Sequence, residues 1–289
     1  MTTQSGDASN SPTRTSLTDR SKDVPVPRTF SDVLEHRAFL KFRLAQAYRI
    51  FANYGYDAGI AGHITVRDPI RPDCYWVNPW GVHFKLIQPD LLLLVDHEGK
   101  IQDKESGPIR FLNRSAYLIH SAIHEARPDV ICAAHSHTTY GKAFGTLGVL
   151  LDPITQDSCA FYEDHVLFNE FHGIVDDREE GVAIAAALGS KKAAILQNHG
   201  LLVAAASIES TVHFFISLEK CCQVQLIADQ AAAARGQRPR VIDPESAALT
   251  HKGVGSELGG WFNGIPEFQL LELEEGKKFE YKPANKEKL

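Results

Sequence analysis

Residues 127–137 read Arg-Pro-Asp-Val-Ile-Cys-Ala-Ala-His-Ser-His, and this stretch decides how the rest of the chain is interpreted. The Arg-Pro-Asp turn ends a preceding helix, and the apolar residues 130–134 that follow it predict a buried strand. Because side chains alternate along a strand, His135 and His137 lie on the same face, where both imidazoles can reach one ion. A single His-x-His pair also occurs by chance in turns, so a second signal is needed.

That second signal lies later in the chain, where Ala193–Gln197 predicts another buried strand that runs into Asn198-His199-Gly200. Gly200 allows a tight backbone turn, and Asn198 is placed to orient the ring of His199. Three neutral imidazoles around an open position form a catalytic metal geometry that is common in enzymes. The two strand ends therefore predict a metal site made of His135, His137 and His199.

The remaining periodicity predicts an α/β domain over residues 29–238. Apolar residues at helical spacing predict four helices, at 31–54, 113–126, 179–188 and 207–235. Three short β-rich runs suggest an antiparallel sheet, and they lie at 64–67, 75–77 and 91–95. Residues 1–28 contain no aromatic side chain and are predicted to be a disordered tail. Residues 239–289 are predicted to form an irregular extension that ends in a solvated, charged tail.

Composition narrows the functional classes. The chain has 289 residues, 44% of them hydrophobic, which is enough for a large core. A net charge of −6 does not favour binding to the phosphate backbone of nucleic acid. No apolar run approaches the ~20 residues that a membrane-spanning helix needs. Five cysteines without a CxxC pair favour reduced thiols. We therefore expect a cytoplasmic protein that binds neither nucleic acid nor membrane.

Several motifs in order resemble the class II aldolase/adducin family: Arg127-Pro128-Asp129-Val130, Ala133-Ala134-His135-Ser136-His137, Ile195-Leu196-Gln197-Asn198-His199-Gly200 and Ser217-Leu218-Glu219-Lys220. The resemblance runs from about residue 37 to residue 233. It implies an α/β/α sandwich around a mostly antiparallel central sheet, and commonly a homotetramer with active sites between subunits. It also implies that the three histidines bind a divalent metal.

One departure from this family concerns the acid/base group. Sugar-phosphate aldolases of the family carry a Ser-Ser-Glu stretch before a helix, and its Glu serves as metal ligand and proton-transfer group. The corresponding stretch here is Arg114-Ser115-Ala116. Since a methyl group can neither abstract a proton nor bind a metal, the standard aldolase mechanism lacks its central group.

Other departures alter the phosphate-binding elements. A Thr-Gly pair of the family appears as Trp80-Gly81, and a Gly-Asn pair appears as Gly62-His63. We expect Trp80, Gly81, His63 and Ser115 to bind substrate, with core packing as the alternative for Trp80 and His63. A fourth metal ligand is a further possibility for His63. His120 and His124, one helical turn apart, are expected to cap and pack their helix.

Two residues are candidates for catalysis. Arg114 presents a planar guanidinium suited to a carboxylate, which predicts a carboxylic acid substrate; the alternative is a salt bridge or a solvated helix face. Family members often place a tyrosine acid, donated across the subunit interface, in a loop-rich segment like that around Tyr162. Tyr162 is therefore the predicted acid.

Three functions are compatible with these residues. Three histidines without a carboxylate leave up to three open positions on an octahedral Fe(II), enough for a chelating 2-oxo or 2-amino acid and O2. The chain resembles the family's oxygenases of secondary metabolism in this respect, so Fe(II)-dependent oxidative decarboxylation or C–C cleavage is favoured. The alternatives are a Zn(II) lyase, either retro-aldol or non-oxidatively decarboxylating, and an adducin-like interaction module without catalysis.

Overall fold

A computed structural model describes residues 25–170 and 178–284. Within these ranges seven strands form one sheet: β1 (His63–Arg67), β2 (Cys74–Val77), β3 (Leu93–Asp96), β4 (Cys132–Ser136), β5 (His165–Phe168), β6 (Ala193–Leu196) and β7 (Gly200–Ala205). Seven α-helices accompany them: α1 (Val33–Asn53), α2 (Arg114–Ala126), α3 (Thr139–Gly145), α4 (Arg178–Leu188), α5 (Ile208–Ala233), α6 (Pro244–Val254) and α7 (Glu257–Glu275). Residues 1–24 of the predicted disordered tail lie outside the described ranges.

The strand order is β3-β2-β1-β4-β7-β6-β5. Only β5 and β6 run parallel, and every other neighbouring pair is antiparallel, so the predicted mostly antiparallel sheet is confirmed. β4 lies at the centre between β1 and β7. Because β4 and β7 are antiparallel neighbours, the C-terminal end of β4 lies beside the N-terminal end of β7.

Alternation along the central strands separates two apolar layers. Cys132 and Ala134 of β4 belong to the core shared with α1 and α5, whereas Ala133 belongs to the core shared with α2 and α4. Each fully buried Leu, Ile or Phe in these layers contributes about 1.5–3 kcal/mol to stability. Helices thus cover both faces, and the predicted α/β/α sandwich is confirmed.

The expectation of an irregular segment over residues 239–289 is wrong, because this segment contains α6 and α7. Asp243 caps α6 by accepting from the backbone N–H of Ser246 at 2.9 Å. The buried rings of Trp261 and Phe268 anchor α7 in the fold. Several glycines and Pro266 lower the helix propensity of α7, so tertiary packing overrides the local signal there.

None of the helices in the described ranges is long and apolar enough to cross a membrane.

Candidate metal centre

The topology brings His135, His137 and His199 together, and we call these residues the histidine trio. His135 is near the end of β4, His137 directly follows that strand, and His199 lies in the turn between β6 and β7. The centroids of the three rings are 4.7–5.0 Å apart. One ligand atom from each ring lies within 4.8 Å of the other two, a spacing at which one ion could contact all three.

The local backbone explains this close approach. A Cβ atom on Gly200 would lie 2.5 Å from the carbonyl oxygen of Ser136 and 3.3 Å from Cε1 of His135, so only glycine fits. Asn198 has a φ of 56°, in the left-handed region that Asn tolerates better than most residues. The Asn-His-Gly sequence thus shapes the turn that carries His199.

The trio has the donor set and protonation state that a divalent metal requires. Nδ1 of His135 donates to the carbonyl oxygen of Leu201 at 2.9 Å, which leaves Nε2 free to bind an ion. Burial, and secondarily the neighbouring His137, lowers the pKa of His199 to about 4. Burial also lowers the pKa values of His135 and His137, so the imidazoles are neutral near pH 7, as metal binding requires. Three neutral imidazoles fit Fe(II) and Zn(II) equally well.

A cavity of about 590 Å³ opens onto the trio. The first turn of α2 contributes Ser115 and Ala116 to its wall, and Asn113 caps this turn by accepting from the N–H of Ala116 at 3.3 Å. None of the described residues that line the cavity is Asp or Glu. The methyl group of Ala116 therefore faces the cavity where the family resemblance leads us to expect a carboxylate.

Two of the predicted substrate-binding residues, Trp80 and Ser115, line this cavity. The indole N–H of Trp80 donates to the carbonyl oxygen of Ile60 at 3.2 Å, and its ring lies 5.0 Å from that of Phe111. Gly81 follows Trp80 in a turn but is not among the lining residues. Trp80 therefore adds one large aromatic side chain to the wall of the cavity.

His63 is not among the residues that line the cavity. It is buried, as are His120 and His124, and we call these three residues the buried histidine row. The ring centroid of His63 is 3.9 Å from that of His120 and 5.7 Å from that of His135. The hydroxyl of Thr65 links the row, at 2.8 Å from Nδ1 of His120 and 2.8 Å from Nε2 of His124. His63 is outside the group of converging ligand atoms, so the geometry does not support it as a fourth ligand.

Arg114 is not brought to the cavity. Its side chain is exposed, and Nη2 donates to the carbonyl oxygen of Glu98 at 3.2 Å. This is the solvated helix face that the sequence left open as the alternative. Tyr162 follows a 3-10 turn at Ser158–Phe161 and does not line the cavity of its own chain. Its role as an acid donated by a neighbouring subunit stays a prediction.

Sequence reasoning missed Lys142, which is the cationic residue of the cavity wall. It lies on α3, a seven-residue helix that directly follows the His-Ser-His stretch. A sequence signal was present, since Lys142 follows His137 by only five residues. So short a helix has no readable periodicity, however, and the direction of the side chain could not be predicted.

Residues 42–226 match the family described as the class II aldolase and adducin N-terminal domain. The chain is similar to decarboxylase NovR of Streptomyces niveus, with 44% identity over 81% of this chain and 84% of the relative. It is also 44% identical to the 4-hydroxy-3-prenylphenylpyruvate oxygenase/4-hydroxy-3-prenylbenzoate synthase of Streptomyces roseochromogenus subsp. oscitans, over 81% of this chain and 82% of that protein. Among solved structures, L-fuculose 1-phosphate aldolase from Glaciozyma antarctica PI12 is similar, with 47% identity and a TM-score of 0.79 over 88% of this chain and 96% of that one.

Proposed function

The chain belongs to the class II aldolase and adducin family, and on that premise we propose that it is a metal-dependent enzyme that oxidatively decarboxylates an aromatic 2-oxo acid. Two relatives support this proposal by their names, one a decarboxylase and the other an oxygenase of a phenylpyruvate. Their activities cleave carbon–carbon bonds, and each aligns with more than four-fifths of this chain.

The observation that carries the proposal is a histidine trio that opens onto a cavity with no carboxylate in its described wall. The trio would hold the metal, and the tethered Nδ1 of His135 fixes one ring in a ligating orientation. When bound, Fe(II) would supply activation of O2 and chelation of the 2-oxo acid at its open positions. The trio alone leaves enough of those positions for both molecules.

The Trp80 side chain in the cavity wall suits an aromatic 2-oxo acid. Trp80 lines the cavity, and its ring packs against that of Phe111, an exposed residue. An aryl group can stack on such a surface in an offset or edge-to-face arrangement worth about 0.5–1.5 kcal/mol beyond simple burial.

The reaction balances without an external reductant. The bond between the carboxylate carbon and the oxo carbon breaks, and the electron pair it releases contributes to the reduction of O2. One oxygen atom enters the new carboxylate and the other becomes a hydroxyl on the neighbouring carbon. The products are CO2 and a 2-hydroxy acid one carbon shorter than the substrate.

The test compares protein reconstituted with Fe(II) and with Zn(II) after purification without O2, using phenylpyruvate as the probe. We expect the Fe(II) form to consume O2 and release CO2 in equal amounts, and the Zn(II) form to be inactive. Product release by the Zn(II) form without O2 would contradict the proposal.

A second candidate function is a Zn(II)-dependent lyase. The observation that favours it is the 47% identity to the L-fuculose 1-phosphate aldolase from Glaciozyma antarctica PI12. A Zn(II) lyase would need a proton carrier other than the side chain at position 116, which is Ala. Cleavage of L-fuculose 1-phosphate by the Zn(II) form without O2 would establish this alternative.

We also propose a homotetramer in the cytoplasm. The described cysteines are all unpaired and buried, as suits a reducing compartment. Tyr162 requires a neighbouring subunit to approach a cavity, because it does not line its own. Light scattering tests the assembly, and a monomer would remove the predicted role of Tyr162.

A further inference from the structure

Lys142 is a cation in the wall of the cavity that has no ionic partner among the described residues. Its side chain is exposed and lines the same cavity as the histidine trio. No ion pair joins it to a carboxylate in the described parts of the chain.

The backbone that carries Lys142 is held in place by a buried carboxylate from another helix. Glu219 of α5 accepts from the backbone N–H of Tyr140 at 2.9 Å and of Gly141 at 2.7 Å. It also accepts from the hydroxyl of Thr138, which follows His137 directly. A carboxylate at this helix start satisfies otherwise unpaired N–H groups. The backbone between His137 and Lys142 is therefore held in one conformation.

The charge balance of the cavity favours an anionic substrate. Its described wall contains Lys142 and three neutral imidazoles but no acidic residue, and a divalent metal would add further positive charge. When a 2-oxo acid chelates a metal, it uses one carboxylate oxygen and the oxo oxygen. The second carboxylate oxygen is left to accept a hydrogen bond from the protein.

We propose that Lys142 binds this second carboxylate oxygen and is the residue that selects carboxylate substrates. The inference rests on the proposed function, since it assumes a 2-oxo acid at the trio. It assigns to Lys142 the role that the sequence suggested for Arg114, whose side chain contacts Glu98 outside the cavity.

The experiment measures the Kd of phenylpyruvate by calorimetry without O2, on protein that holds the metal with which it purifies. The variants are Lys142→Met, Lys142→Arg and the matched control Lys104→Met, which removes another exposed lysine outside the cavity wall. Because Lys142→Met removes a charge-assisted hydrogen bond, we expect it to raise the Kd about 10- to 100-fold. Lys142→Arg keeps the charge and should restore most of the affinity, and Lys104→Met should match the wild type.

A second ligand separates carboxylate binding from a general loss of structure. Phenylacetone lacks the carboxylate, so Lys142→Met and wild type should bind it equally, with equal metal content. An unchanged Kd for phenylpyruvate in Lys142→Met would overturn the role of Lys142, even if the enzyme consumes O2 with this acid. Wild type that binds the acid through Lys142 but consumes no O2 would instead overturn the proposed function alone. No binding by wild type would overturn both.

Discussion

The histidine trio and the buried histidine row each contain three imidazoles. The two groups are neighbours, since the ring centroids of His63 in the row and His135 in the trio are 5.7 Å apart. The trio opens onto a cavity of about 590 Å³, whereas every member of the row is buried in the core. In the trio the ligand atoms converge on one point. In the row the Thr65 hydroxyl lies between two of the rings, and neither nitrogen of His63 has a well-aligned hydrogen-bond partner among the described residues.

This difference shows that access and convergence, rather than residue type, separate a candidate metal site from buried polar packing. Burial lowers the pKa of His124 to about 3 and keeps the row neutral. The pKa values in the trio are lowered for the same main reason. Of these two groups, the trio combines neutral rings with ligand atoms that lie within 4.8 Å of one another beside an open cavity.

The largest expected effect breaks the trio. His199→Ala removes one of three ligands, so we expect metal content to fall below about a tenth of wild type while the fold is retained. Elemental analysis after dialysis measures the first quantity, and circular dichroism measures the second. His97→Ala is the matched control, because His97 is outside the cavity wall and the trio. Full metal content in His199→Ala would remove this residue from the site.

The trio was predictable because two periodic signals agreed. Alternation placed His135 and His137 on one face, and a second apolar strand ended near His199. The sequence did not show that Gly200–Ala205 forms β7, which carries this turn into the centre of the sheet. The sequence patterns predicted no strand over these residues, although only three residues separate them from β6.

Side-chain direction was the main limit of sequence reasoning. Residues 114–116 form the first turn of α2, where Arg114 turns to the solvated face while Ser115 and Ala116 face the cavity. On a helix each residue rotates the side chain by about 100°, so an error of one position selects the wrong face. His120 and His124 were expected to pack their helix, and both are buried on α2.

The second prediction concerns how the stability of the fold depends on pH through His124 of the buried row. The pKa of His124 is lowered from 6.5 to about 3, so the unfolded chain binds its proton first as pH falls. The stability contributed by this group is therefore complete above about pH 6.5 and declines as pH falls towards 3. We expect His124→Gln to reduce the slope of unfolding free energy against pH by up to about 1.4 kcal/mol per pH unit in this window.

Urea unfolding of metal-free protein between pH 5 and pH 7 measures this slope. The His97→Ala control should keep the wild-type slope, since His97 is not in the buried row. An unchanged slope in His124→Gln would mean that His124 titrates normally in the folded protein, and the row would then not be held neutral by burial.

The smallest effect is expected at His63, where the two regions are closest. Within the described ranges both nitrogens of this imidazole are buried without a well-aligned hydrogen-bond partner, so their desolvation is poorly compensated. His63→Leu removes the polar atoms at similar volume, so we expect unfolding free energy to change by no more than about 1 kcal/mol and metal content to stay at the wild-type level. Urea unfolding and elemental analysis give both quantities. A loss of metal comparable to that of His199→Ala would instead place His63 in the site, as the sequence allowed, and the boundary between the trio and the row would have to be redrawn.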